Sequence, residues 1–197
     1  MKLYHQPRSR STRARWALEE SGVPFELELM TREFKQTAEY RAIHPLGKSP
    51  AAVLAEGPMF ESAAMVLHAA DRAPDAGLIG PVGSYARALH YQWAFYAMTE
   101  IEGPAGDIAR QLWKSDGDPI QEVIEKAKAR LAPAIGLVVA ALGDRSFLVD
   151  DRFSVADILV GGVLSFVRTA ELDALPAAVV GYVDALEARP ARVRAYS

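Results

Sequence analysis

The sequence contains no cysteine. Disulfides, zinc-thiolate sites and every mechanism built on a protein thiolate nucleophile are thereby excluded. Long apolar runs are missing as well: the stretch from Leu159 to Val167 is too short to span a bilayer and reads as a buried helix. The N-terminal Met1 to Arg10 segment carries positive charge without the apolar stretch of a secretory signal, so the cytoplasm is the expected location. Neither sign of charge dominates, with 22 basic and 25 acidic side chains and a net charge of -3. No general attraction to nucleic acid or to a membrane surface follows, and any anion must be bound locally. The four histidines, His5, His44, His68 and His90, lack the spacing of metal ligands, and no metal is expected. No internal repeat and no low-complexity segment occurs.

What is present is the composition of a folded globular chain, 50% hydrophobic and 24% charged over 197 residues, enough for one large or two small domains. Lys2 to His5 is a short extended run ended by Pro7 and the polar cluster Arg8-Ser9-Arg10-Ser11-Thr12. From Ser11 the apolar spacing turns helical until Gly22 and Pro24 stop it, and Phe25, Leu27 and Leu29 then alternate with Glu26 and Glu28 as in a half-exposed strand. Strand, helix, strand in this order predicts a parallel pair. A short helix is expected around Thr37 to Ile43, followed by a loop from His44 to Pro50. Two short strands, Ala51 to Ala55 and Met59 to Phe60, form a hairpin about Glu56-Gly57-Pro58, and Ser62 to Arg72 is helical.

The Pro-, Gly- and Asp-rich stretch from Ala73 to Pro81 marks a boundary, giving an α/β domain over 1–74 and an all-helical domain over 82–197. In the latter, helical patterns run from Ser84 to about Leu112, with a bend or break expected at Gly103-Pro104, and from Ile120 to Leu142. Shorter helices are expected at Ser154 to Thr169, Ala177 to Ala188 and Ala191 to Ala195. No convincing strand is read in this half.

Three separated motifs carry a family resemblance. Leu3-Tyr4-His5-Gln6-Pro7-Arg8-Ser9-Arg10-Ser11 with the following Arg13, Arg15 and Ala17-Leu18-Glu19-Glu20 resembles the first strand and helix of bacterial glutathione transferases. His44-Pro45-Leu46-Gly47-Lys48-Ser49-Pro50-Ala51 resembles the family's loop that ends in a cis-proline, and Phe60-Glu61-Ser62-Ala63 its Glu-Ser pair at the start of the third helix. Further on, Phe153-Ser154-Val155-Ala156-Asp157 resembles the capping box of its buried sixth helix, a folding element in which Ser154 and Asp157 satisfy two orphan N–H groups.

The resemblance implies a thioredoxin-like N-terminal domain that binds glutathione and an all-helical C-terminal domain with a site for a small hydrophobic electrophile. It implies a homodimer, as does the apolar surface of the long helices from 84 to 142, more than a small bundle covers alone. The glutathione thiol has a reference pKa of about 8.5, so its anion must be favoured by amides and a hydroxyl at a helix N-terminus. That role falls on Ser9 first and Ser11 second, with plain helix capping as the alternative for either. An ungapped match to cysteine-using members places Arg10 beside the nucleophile position, where its charge would lower the thiol pKa. Tyr4 lies inside the strand and reads as core.

By the same resemblance, Ser49 and cis-Pro50 pair with the cysteinyl part of the tripeptide. Glu61 and Ser62 meet the ends of its γ-glutamyl zwitterion, and Lys48 and Arg13 are candidates for the glycyl carboxylate. Gly47-Lys48-Ser49 is no phosphate loop, because the glycine that motif needs is Ala42. Tyr91, Phe95, Met98 and Trp113 are candidates for the electrophile wall, with interior packing as the alternative. Conjugation is the first reading. A glutathione-dependent peroxidase or dehalogenase, or a non-catalytic glutathione-binding or regulatory protein, shares the same motifs.

Overall fold

The computed structural model describes residues 1–114 and 116–197. Its contacts define two compact units, Met1–Ile79 together with Glu187–Ser197, and Gly80–Leu186.

The first unit is built on strands β1 (Lys2–His5), β2 (Glu26–Leu29), β3 (Ala51–Val53) and β4 (Pro58–Phe60), in the spatial order β2-β1-β3-β4. Helix α1 (Ser11–Ser21) carries the chain from β1 to β2 and makes that pair parallel, with Leu3 opposite Leu27. β3 runs antiparallel to β1 and folds back on β4, its turn closed by Leu54 and Gly57. Helices α2 (Ala38–Ile43) and α3 (Ser62–Arg72) complete the α/β part, with Thr37 capping α2 through its hydroxyl.

Strand alternation puts Leu3 and His5 on one face of the sheet and Tyr4 on the other. α1 packs on α3, and Ala14, Leu18, Met65 and Val66 are buried, while the Trp16 ring lies under Arg192 of the C-terminal segment. Each large apolar side chain so buried contributes roughly 2 kcal/mol relative to exposure. On the opposite face Tyr4 enters a cluster with Met30, Tyr40 and Ala51, its ring 5.7 Å from that of Tyr40 and 6.1 Å from Phe34. β2 departs from the half-buried strand its alternation suggests. It is an edge strand bonded only to β1, and Leu27 and Leu29 stay exposed.

The segment Glu187–Ser197, placed with the helical domain on sequence grounds, groups with the first unit. Helix α9 (Pro190–Tyr196) lies along α1, burying Ala191 and Ala195. Charge at the end of α1 draws it there: Arg189 makes a two-pronged pair with Glu20 at 2.7 and 2.9 Å, and Arg194 donates to Glu19 at 2.8 Å.

The second unit holds α4 (Tyr85–Tyr96), α5 (Glu102–Leu112), α6 (Gln121–Leu142), α7 (Val155–Thr169) and most of α8 (Ala177–Glu187). The break expected at Gly103-Pro104 occurs one turn earlier, as a π turn over Ala97–Ile101. Pro104 has no N–H to give and its ring crowds the carbonyl a turn before it. The widened turn absorbs both, with the Glu102 N–H bonded to Ala97 O.

α7 is buried nearly all round, and the Ser154–Asp157 capping box is formed. Asp157 also accepts from the Leu148 N–H at 3.0 Å and the Tyr182 hydroxyl at 2.8 Å, tying the preceding loop and α8 to the start of α7. Among the described residues no helix is long and apolar enough to cross a membrane.

Candidate functional site

Register brings the expected site residues to one end of the sheet. Tyr4 pairs with Ala51, and Ala51 pairs with Phe60. The residues just beyond, His5-Gln6, Ser49-Pro50 and Glu61-Ser62, therefore leave three adjacent strands at the same end.

The loop between β1 and α1 is held by its own polar groups. Ser9 is half-buried; its Oγ donates to Gln6 O at 2.7 Å, accepts from the Ser11 N–H at 3.2 Å and lies 3.3 Å from Ser49 Oγ. Ser11 is fully buried, and its Oγ accepts from the Gln6 N–H at 3.0 Å and reaches Gln6 O at 2.9 Å. The two hydroxyls are 2.8 Å apart. Arg10, not a serine, occupies the residue before α1; it is exposed, has helical backbone angles and makes no side-chain cap bond.

The β3 side is fixed by Tyr40 and Gly47. The Ser49–Pro50 peptide is cis, as the loop resemblance implies, and Pro50 is buried. Tyr40 donates its hydroxyl to Lys48 O at 2.7 Å; burial pushes its pKa up to about 12, so it remains a donor at any physiological pH. Gly47 has a φ of 60°, and a Cβ there would lie 2.8 Å from Lys35 O, so both conformation and space demand glycine. The Lys48 side chain is exposed.

Glu61 precedes α3 with a φ of 74° and ψ of 113°, a strained conformation for a residue with a side chain. Its side chain is exposed and makes no cap bond, while Ser62 is buried at the first position of α3. Beneath them His44 is buried. Its pKa is lowered by desolvation, with the nearby Glu61 opposing, and its Nδ1 accepts from the Leu46 N–H at 3.3 Å.

Arg13 is not part of this surface. It is buried within α1, and its charge acts on the Tyr196 hydroxyl of α9. In the second unit Phe95 and Trp113 are exposed, Tyr91 accepts from Arg87 Nε at 2.8 Å, and Met98 is half-buried. Among the described residues no group of three or more His, Asp or Glu side chains could hold a metal ion.

Sequence reasoning passed over three contributors. His5 Nδ1 lies 2.7 Å from Ser11 Oγ, and burial, with the Arg15 charge second, pushes the imidazole down to about 4. Gln6 supplies the carbonyl to which both serines turn and receives Lys35 Nζ on its side chain at 2.6 Å. Tyr40 pins the cis-proline loop. Only His5 left a trace in the sequence, as a polar residue at an inward-facing strand position.

A four-stranded β2-β1-β3-β4 sheet with a cis-proline loop opposite a helix N-terminus, followed by an all-helical unit, defines a thioredoxin-like protein with a helical C-terminal domain. The glutathione S-transferase N-terminal domain matches residues 1–71 and the glutathione S-transferase C-terminal domain residues 121–197. Glutathione S-transferase GstA of Escherichia coli O157:H7 is 29% identical over 88% of this chain and 85% of its own length. Glutathione S-transferase F9 of Arabidopsis thaliana is 30% identical over 80% and 76%. A crystal structure of a glutathione transferase from Burkholderia graminis, with two glutathione molecules bound per subunit, is 27% identical and superposes with a TM-score of 0.84 over 99% of this chain and 86% of its own. The chain belongs to the glutathione S-transferase family, and it is a glutathione transferase enzyme.

Proposed function

We propose that this protein binds reduced glutathione at the end of the sheet where β1, β3 and β4 terminate, and conjugates its thiolate to a small hydrophobic electrophile. The observation that carries the reading is the 3.3 Å approach of Ser9 Oγ to Ser49 Oγ, which joins the start of α1 to the cis-proline loop. A sulfur beside Ser9 competes with Gln6 O for the Ser9 hydroxyl proton and lies at the positive end of α1. Ser9 takes the sulfur contact because it is half-buried and reachable, whereas Ser11 is enclosed and acts behind it. Arg10 adds positive charge from the same turn.

The backbone of Ser49 before cis-Pro50 offers a strand-like edge to the cysteinyl residue. The exposed Glu61 carboxylate and the start of α3 suit the γ-glutamyl amine and carboxylate, and Lys48 suits the glycyl carboxylate. Phe95 and Trp113, exposed aromatic side chains of the helical unit, supply apolar surface for the electrophile. Exposed Val82 and Tyr85 near the start of α4 fit a second copy of the chain, and sedimentation at a monomer mass of 21.4 kDa would contradict a homodimer.

Titration calorimetry with reduced glutathione, followed by the pH profile of kcat/KM for a chromogenic aryl halide, tests the reading. Ser9→Ala should move the acid limb of that profile upward by about one pH unit, a tenfold loss at neutral pH. Absence of glutathione binding, or an unmoved profile in both Ser9→Ala and Ser11→Ala, would overturn it.

A further inference from the structure

Building on the glutathione reading above, we propose that His5 is a positioning residue: its Nδ1–H, donated to Ser11 Oγ, keeps the Ser9 proton off Ser11 and so available to the bound sulfur. A serine hydroxyl has one proton and two acceptor sites. Ser11 Oγ has four polar neighbours: the Gln6 N–H at 3.0 Å, Gln6 O at 2.9 Å, His5 Nδ1 at 2.7 Å and Ser9 Oγ at 2.8 Å.

With the Ser11 proton on the Gln6 carbonyl, a bare Nδ1 would set lone pair against lone pair at 2.7 Å; the contact is attractive only when Nδ1 carries the proton. Ser11 then accepts from both the Gln6 N–H and His5, and neither acceptor site is left for Ser9. The Ser9 proton is confined to Gln6 O, Ser49 Oγ or an anion bound before them. In the other tautomer His5 draws the Ser11 proton to itself, a lone pair opens on Ser11, and the Ser9 proton can turn inward, away from the ligand.

His5 is 1% exposed on the inward face of β1, so water does not compete for this bond. Burial first, and the charge of Arg15 on α1 second, disfavour the imidazolium and leave a neutral ring whose single proton must occupy one nitrogen. The reacting atoms are not touched: His5 acts through Ser11, and Ser11 through Ser9.

Two measurements test this. A long-range proton–nitrogen spectrum of the intact protein at neutral pH identifies which imidazole nitrogen of His5 is protonated; Nδ1–H is expected, and a bare Nδ1 overturns the proposal whether or not any variant folds. In the pH profile of kcat/KM, His5→Leu should raise the apparent thiol pKa by about one unit, a tenfold loss at neutral pH. His5→Asn, whose amide nitrogen takes the place of Nδ1, should restore it, and His5→Leu should add nothing in a Ser11→Ala background. A folded His5→Leu protein with an unmoved profile overturns the proposal. Calorimetry on the unaltered protein separates the two readings: failure to bind glutathione removes the proposed function, while the nitrogen spectrum still decides the tautomer.

Discussion

Acidification should unfold this protein partly through His5. The imidazole is pushed down from 6.5 to about 4 in the folded chain by burial and by Arg15, while in the unfolded chain it titrates at its ordinary value. Between those two values the unfolded state binds the proton and the folded state does not, so stability falls as pH drops from 6.5 toward 4 and levels off below that window. A separation of about two and a half units, at about 1.4 kcal/mol per unit, sets a ceiling of about 3 kcal/mol on the loss. That is a large share of the roughly 5–15 kcal/mol by which domains are stable.

The assay is urea denaturation of the unaltered protein and of His5→Asn from pH 7 to below pH 4, compared by midpoint at equal slope. Buried His44 and His90 are also lowered, and acid opposes them in the same direction, but both persist in the variant and cancel in the difference. The unaltered protein should lose about 2–3 kcal/mol more than the variant across the window. Parallel stability curves would show instead that His5 takes up its proton as easily folded as unfolded.

Three further substitutions have defined costs. Asp157→Ala strands the Leu148 and Ser154 N–H groups and the Tyr182 hydroxyl, all buried, and should cost about 3–6 kcal/mol by chemical denaturation; a loss under about 1 kcal/mol would contradict the bonding described. At Gly161 on α7 an added Cβ overlaps Leu186 Cδ1 of α8, itself 2% exposed. Gly161→Ala should therefore destabilise by about 1–2 kcal/mol, overpacking outweighing the helix-propensity gain of about 1 kcal/mol, and a stabilised variant would show that the helices can part. Glu20→Ala removes the carboxylate to which Arg189 and the Trp16 indole N–H donate and should cost about 1–2 kcal/mol, with α9 exchanging its amides faster than in the unaltered protein.

Local order was legible where period and punctuation agree. The strand Lys2–His5, the helices Ser11–Ser21 and Ser62–Arg72 and the capping box at Ser154 can all be read from spacing, stop residues and cap chemistry alone. The β2 alternation was visible, but not that an edge position would leave Leu27 and Leu29 exposed. Pro104 announced a disturbed helix, yet only the backbone shows that it is taken up by a wide turn before the proline. The C-terminal helix gave no sign of its partner, since Glu19, Glu20, Arg189 and Arg194 are far apart in sequence and meet only through the fold.

At the candidate site the motif residues could be named in advance, because each sits at a strand end or helix start where backbone groups are unsatisfied. The groups that hold them could not. His5 under Ser11 and Tyr40 under Lys48 reach their partners from strand and helix faces whose register no local pattern specifies.

Conjugation by this site requires that the glutathione sulfur be held as an anion beside Ser9 at the start of α1. Ultraviolet titration of the thiolate in the complex, with the protein in excess over glutathione, measures it directly. The bound thiol should ionise at least one unit below its free value of about 8.5, with most of that shift lost in Ser9→Ala. A bound thiol that titrates as it does in water would contradict the account.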